Sequence, residues 1–277
     1  MKDWALAQEH LGALDSLRLE WSLQLKPQGA FPRKKPLFWM GYEGDPKNTS
    51  TYAALADLIE ALEAPEEIRS LQLQLAKTAK CQGIRLDLEP AGAPTYCLYS
   101  NHAPTDLKPA EIRAYQWQKC KLVKQAVYSP VYFKEGLAIE DLALQVHPVL
   151  RESFKACCEN ERLIDRSAYL QQFSEGSLQE TYLAYYWHPT LALVAHTLPE
   201  FMEQSLEESP YLNLPFRYMG FSTNADAIPE VTFYFSAPKR GGGWPADFSE
   251  LQSAVTASSK ILVEEIAMMA KQMEGTN

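Results

Sequence analysis

Leu17-Arg18-Leu19-Glu20-Trp21-Ser22-Leu23-Gln24-Leu25-Lys26 alternates without a break. Polar side chains stand at Arg18, Glu20, Ser22, Gln24 and Lys26, with Leu19, Trp21, Leu23 and Leu25 between them. A period of two sustained over this length is a β-strand with one polar and one apolar face. The apolar face carries the bulkier side chains, so it is the face expected to pack against other elements. The polar face then meets either water or a wet cavity, and the pattern alone admits both. In the second case Glu20, flanked by Arg18, Ser22, Gln24 and Lys26, is a candidate binding carboxylate.

Outward from this strand the chain alternates helices with pairs of strands. Asp3 to Leu14 reads as a short helix, and Pro27 to Lys35 as a turn rich in Pro, Gly and Lys. Pro36 to Glu43 is the second strand. Helices follow from the Asn48-Thr49-Ser50 cap through Leu62, and from Pro65 to about Lys80. Gly83 to Glu89 and Pro94 to Ser100 flank a Pro-Ala-Gly-Ala-Pro turn, which is a hairpin signal. Glu111 to Lys121 and Ala126 to Lys134 make a third pair, followed by a helical region from Leu137 to Asn160. Gln179 to Trp187 and Leu191 to Thr197 make a fourth. Phe216 to Thr223 and Glu230 to Ser236, around Asn224-Ala225-Asp226-Ala227, make the fifth. A terminal amphipathic helix covers Ser249 to Gln272, its Leu251, Val255, Leu262 and Ile266 spaced for core packing.

Five hairpins separated by helices predict an α+β fold: one closed antiparallel barrel of ten strands, built from repeated αββα units with the helices outside. Closure removes sheet edges, and a ring of that size is too wide for side chains alone to fill. No linker or shift of composition divides the chain, so residues 1–277 are expected to form one domain.

Composition narrows the function classes. The chain has 277 residues, 46% hydrophobic, with a net charge of −9. The acidic balance argues against a general nucleic-acid binder. No apolar run approaches the ~18 residues of a membrane span, and acids stand too early for a signal peptide. The five cysteines, an odd number without paired spacing, predict reduced thiols and a cytoplasmic location. The five histidines show neither His-x-His nor His-x-x-x-His spacing, and no Cys-x-x-Cys occurs, so no metal site is expected. Gly220-Phe221-Ser222-Thr223-Asn224 lacks the second Gly of a nucleophile elbow. Lys239-Arg240-Gly241-Gly242-Gly243-Trp244 lacks P-loop spacing and reads as a basic loop near the barrel mouth.

Three local runs carry a resemblance to a known family. Leu19-Glu20-Trp21-Ser22-Leu23-Gln24 resembles the first-strand pattern of the ABBA-type aromatic prenyltransferases, in their tryptophan dimethylallyltransferase branch, with Gln24 in place of an Asn. Met40-Gly41-Tyr42-Glu43-Gly44-Asp45-Pro46 is similar to the next strand. Ile84-Arg85-Leu86-Asp87-Leu88-Glu89 through Cys97-Leu98-Tyr99 resembles the following hairpin, where the family has an Asp-Leu pair and a Lys-x-Tyr element. The last hairpin, Tyr218 to Ser222 and Val231 to Phe235, fits the same style.

The resemblance implies an enzyme that joins an allylic diphosphate to an electron-rich, indole-like aromatic acceptor inside the barrel, without dependence on a metal. Cations would hold the departing diphosphate, ring faces would surround the allylic cation, and a carboxylate would hold the acceptor's N–H or O–H. On that basis Glu20 is the catalytic carboxylate. Arg18, Lys26, Arg85, Lys119, Lys121, Lys134 and Arg217 are the diphosphate candidates. Ser22, Tyr42, Tyr99, Tyr132, Tyr185, Tyr186 and Tyr234 are the shield and substrate candidates, although adjacent Tyr185 and Tyr186 cannot both face inward. No cofactor is required, and Mg2+ could accompany the diphosphate. The partners are the two small molecules, with no nucleic acid and no membrane span. The chain departs from the family where a Lys precedes each second-strand Tyr: those positions hold Met40, Cys97, Pro130 and Thr232. Trp39 stands where the family has an Arg. Two alternatives therefore stay open, a terpenoid-indole cyclase on the same scaffold and a carrier of hydrophobic molecules.

Overall fold

The computed structural model describes residues 2–14, 17–40, 49–79, 81–88, 93–102, 111–132, 139–160, 168–174, 177–184, 188–239 and 243–274. Helix α1 (Lys2–Leu11) leads into the hairpin β1 (Leu17–Lys26) and β2 (Gly29–Met40). Helices α2 (Thr49–Ala61) and α3 (Glu66–Thr78) precede β3 (Cys81–Arg85) and β4 (Tyr96–His102). Next come β5 (Glu111–Gln118) and β6 (Lys121–Tyr132), then α4 (Ile139–Ala143), a 3-10 turn (Pro148–Leu150) and α5 (Arg151–Glu159). The fourth hairpin is β7 (Ala168–Ser174) with β8 (Ser177–Ala184), followed by α6 (Leu191–Ala195) and α7 (Glu200–Glu207). The chain ends with β9 (Tyr218–Ser222), β10 (Val231–Pro238) and the long α8 (Phe248–Glu274).

Every strand is antiparallel to its neighbours, and the order β1-β10-β9-β8-β7-β6-β5-β4-β3-β2 returns on itself because β1 pairs with both β2 and β10. The expected antiparallel sheet curled into a barrel, with helices against its outer face, is thus present. The alternation of β1 explains which side is which. Leu17, Leu19, Trp21, Leu23 and Leu25 point outward into the core shared with the helices. There Trp21 stacks on Phe235 at 4.3 Å and meets Phe248 of α8 at 6.5 Å. Trp4 of α1 meets Phe38 at 5.9 Å and donates its indole N–H to the Pro245 carbonyl at 2.9 Å. The polar face of β1 is equally buried, with Arg18, Glu20 and Ser22 each below 10% exposure. It looks into the barrel.

The structure corrects three details of the sequence reading. Gly29 to Lys35 is strand rather than turn. Between the pairs Glu20↔Leu37 and Ser22↔Arg33, β1 advances two residues while β2 advances four. That bulge absorbs Pro36, which has no N–H to offer the ladder, and frees its carbonyl to accept Leu86 N–H at 3.0 Å. The fourth hairpin lies earlier than expected, and Leu191 to Ala195 is helical. Leu191, Val194 and Ala195 are its buried residues, at helical spacing, and Thr190 bridges to Pro215 just before it. Short apolar runs have too few turns for their period to separate helix from strand. Finally, the αββα repeat is incomplete among the described residues: β4 pairs directly with β5, and no described helix lies between them.

Candidate active site

Two apolar clusters result from the two faces of the sheet. The larger lies between the barrel and its helices. The smaller lies inside the barrel and comprises Leu37, Trp39, Cys81, Cys97, Tyr99, Ala114 and Ala126, with Ile112 and Tyr128 against it. It borders a cavity of about 430 Å³. Register places the inward residues in rows. One row runs Trp39, Gly83, Tyr99, Ala114, Ala126, and the next runs Leu37, Arg85, Cys97, Gln116, Lys124. Ala114 on β5 and Ala126 on β6 leave space that the aromatic side chains border.

Five aromatic side chains, one from the second strand of every hairpin, form a belt around this space. They are Trp39, Tyr99, Tyr128, Tyr182 and Tyr234, with successive ring centroids 5.7, 6.2, 5.8 and 5.7 Å apart. The stagger of the barrel decides which rings meet. Tyr99 is in register with Ala114 and through it with Ala126, yet its ring reaches Tyr128, one inward position along. Tyr182 is in register with Gly220 and through it with Thr232, yet its ring reaches Tyr234. In a tilted ring of strands, residues at one height are displaced along the ladder from one strand to the next.

Between Tyr234 on β10 and Trp39 on β2, strand β1 presents Glu20. Burial pushes this carboxyl up to about 7, against the opposing pull of Arg217, the Trp39 indole N–H that it accepts, Arg18 and Arg85. It is therefore poised to gain or lose a proton near neutrality. Arg85 on β3 donates from Nη1 to the hydroxyl of Tyr99 on the neighbouring β4 at 2.8 Å. Burial drives the Tyr99 hydroxyl well above its usual range, so it stays a neutral phenol. Arg217 lies over the Tyr218 ring, 5.3 Å from its centre. His188 is buried with a backbone φ of +47°, and burial, Arg217 and Arg18 push its imidazole down to about 4. Near neutral pH it is an uncharged neighbour of the two arginines.

Of the residues singled out from the sequence, Glu20, Ser22, Arg85, Tyr99 and Tyr234 line the cavity, with Arg18 and Arg217 close to Glu20. Lys26 does not line it; its ammonium pairs with Glu230 at 3.4 Å, at the end of the first hairpin. Lys119 and Lys121 are exposed at the tip of the third hairpin, because Lys119 and Cys120 form its turn with φ of 47° and 57°. That turn carries neither Gly nor Asn, so the sequence reads as continuous strand there. Tyr42, Lys134, Tyr185 and Tyr186 lie outside the described residues, as does the side chain of Tyr132.

Sequence reasoning missed Arg33, Lys35, Lys124, Trp39, Tyr128, Tyr182 and Tyr218, all of which line the cavity. Lys35 also pairs with Asp87, which does not line this cavity, at 3.3 Å. The signal for Lys124, Ala126 and Tyr128 was their shared parity on β6. For Arg33 and Lys35 it was their alternation within a segment whose prolines suggest a loop. Among the described residues no group of three or more His, Cys, Asp or Glu could hold a metal ion, and no helix is long and apolar enough to cross a membrane.

No family model and no curated protein matches the chain. Among solved structures it is similar to AnaPT from Neosartorya fischeri, with 14% identity and a TM-score of 0.44, over 78% of this chain and 77% of that one.

Proposed function

We propose that the barrel transfers an allylic group from its diphosphate to an electron-rich aromatic ring, metal-independently. The observation that carries this reading is the aromatic belt, interrupted at Glu20 and adjoining a row of cations in the same lumen. In this reading Arg85, Lys124, Arg33 and Lys35 hold the diphosphate. The allylic carbon–oxygen bond breaks and its electron pair leaves with the diphosphate. The tyrosine faces stabilise the cation and keep water from it. Ionised Glu20 accepts the acceptor's N–H or O–H and raises the ring's electron density. A ring carbon then bonds to the allylic carbon, and the ring proton leaves with the diphosphate. The resemblance of Leu19 to Gln24 to the first strand of the ABBA-type prenyltransferases supports the same roles.

Incubation with an allylic diphosphate and a panel of indoles, phenols and aromatic peptides tests this by mass spectrometry. The expected result is an adduct with equimolar diphosphate. Neither adduct nor released diphosphate overturns it. Trp39, an uncharged residue where the resemblance places an Arg, favours a second reading in which no diphosphate is ionised. Protonated Glu20 would then start a cyclisation of a terpenoid-bearing indole. Turnover of such a neutral substrate without diphosphate release separates the two.

A further inference from the structure

Trp39 differs from its four partners in the belt in both chemistry and seating. Its indole packs directly against the backbone of β3 at Gly83. A methyl group there would stand 2.8 Å from Cε3 and 2.9 Å from Cδ2 of the indole, closer than any real Cβ contact, so the seat exists only because residue 83 is glycine. The ring also meets Tyr99, the register partner of Gly83, at 5.7 Å with the planes 52° apart. Its N–H, a donor with no acceptor capacity, is given to Glu20. Trp39 is 7% exposed and belongs to the apolar cluster inside the barrel. A side-chain-free floor, an aromatic neighbour and a carboxylate that accepts the N–H are the requirements for binding a planar N–H heterocycle.

We infer that the lumen contains a built indole seat, formed by Gly83, Tyr99 and Glu20, and that the chain fills it with its own Trp39, which is thereby the residue that determines acceptor specificity. With the seat occupied, an incoming aromatic molecule reaches Glu20 only from the opposite side of the carboxylate. There Ser22 and Tyr234 are in direct register, and Tyr182 and Tyr218 complete the wall. A carboxylate accepts several hydrogen bonds, so Glu20 can serve Trp39 and a ligand at once. This consequence for acceptors rests on the transferase reading; the seat itself does not.

The first measurement needs no substrate. The indole N–H resonance of Trp39 is identified in a nitrogen-15 spectrum as the signal lost in Trp39→Phe. It should move strongly in Glu20→Gln and in Gly83→Ala, while those of Trp4 and Trp244, outside the barrel, stay put. An unmoved Trp39 signal overturns the inference. The second uses free indole as the probe and calorimetry as the readout. Apolar cavities of about 150 Å³ are known to bind a single aromatic ring. Trp39→Ala should therefore bind indole at least tenfold more tightly than the native chain. Adding Gly83→Ala should abolish that gain, and adding Glu20→Gln should weaken it by about tenfold, the worth of one charge-assisted hydrogen bond. Indole binding no tighter than to the native chain, in a Trp39→Ala protein that retains its circular dichroism and melts cooperatively, overturns the inference. Should Trp39→Ala not fold, the resonance in the native chain still decides. Both readouts are indifferent to whether the protein transfers a prenyl group, so a failed transfer assay and an absent seat are separate results.

Discussion

Glu20 concentrates the chemistry of the lumen in one side chain. Burial holds the folded carboxyl at about 7, above its ordinary 4.5, even with three arginines nearby. The folded chain therefore keeps a proton on Glu20 that the unfolded chain releases between those two values. Stability supplied by that proton is complete below about pH 4.5 and is lost as pH rises through 7. The full loss is about 3 kcal/mol. Glu20→Gln cannot ionise, so its melting temperature relative to the native chain should climb from pH 5 to about pH 7 and level off by pH 8. A constant difference across that range would show that Glu20 does not titrate there. In the transferase reading the working form is the anion, so kcat/KM should rise with pH to a plateau above neutrality. Glu20→Gln should lower turnover about 100-fold or more at that plateau. In the cyclase reading the acid limb is the active one, and the profile falls instead.

At the scale of the element, the third hairpin shows how local chemistry misleads when tertiary pairing overrides it. Lys119 and Cys120 both adopt the left-handed backbone of a two-residue turn, in a segment without the usual Asn-Gly. A side chain in that conformation costs about 1 kcal/mol relative to glycine. Cys120→Gly should therefore raise stability by about 1 kcal/mol in chemical denaturation, and the same change at Ala114, inside β5, should lower it. An unbroken strand over residues 111–121 would keep Lys119 and Lys121 on one face, and the turn at Lys119 and Cys120 places both at its exposed tip instead. Once the turn interrupts the alternation, Lys124 rather than Lys121 lines the cavity. The first hairpin errs in the other direction, because a bulge lets prolines sit in what is strand.

Across the whole molecule the sheet separates two apolar environments. The outer one is dense with aromatic contacts, and Trp21, 1% exposed, touches Tyr211, Phe235 and Phe248. Trp21→Ala should cost about 3–5 kcal/mol of stability by denaturant titration, as large-to-small core changes do. Tyr128 or Tyr182 borders open space on one side, so truncating either should cost less, while enlarging the cavity. Equal losses at the two kinds of site would mean that the lumen is a packed core and not a chamber.

What the residues determined by themselves was the direction of side chains along each strand. Strict alternation on β1 put leucines and Trp21 on one face and Glu20 on the other, and it would do so in any sheet, since successive Cβ atoms point to opposite sides. The number of hairpins and the outer position of the helices followed from the same periodicity, whereas an inward aromatic residue on each second strand was an implication of the family resemblance. Which aromatic residue it was did not follow. Tyr128 and Tyr182 meet their neighbours because strands in a tilted ring are displaced along one another, and that displacement is a property of closure, shared among ten strands and written in none of them. Nor could Gly83 announce that it is the floor beneath Trp39. The seat needs β2, β3 and β1 side by side, and only the closed barrel brings together residues 20, 39 and 83.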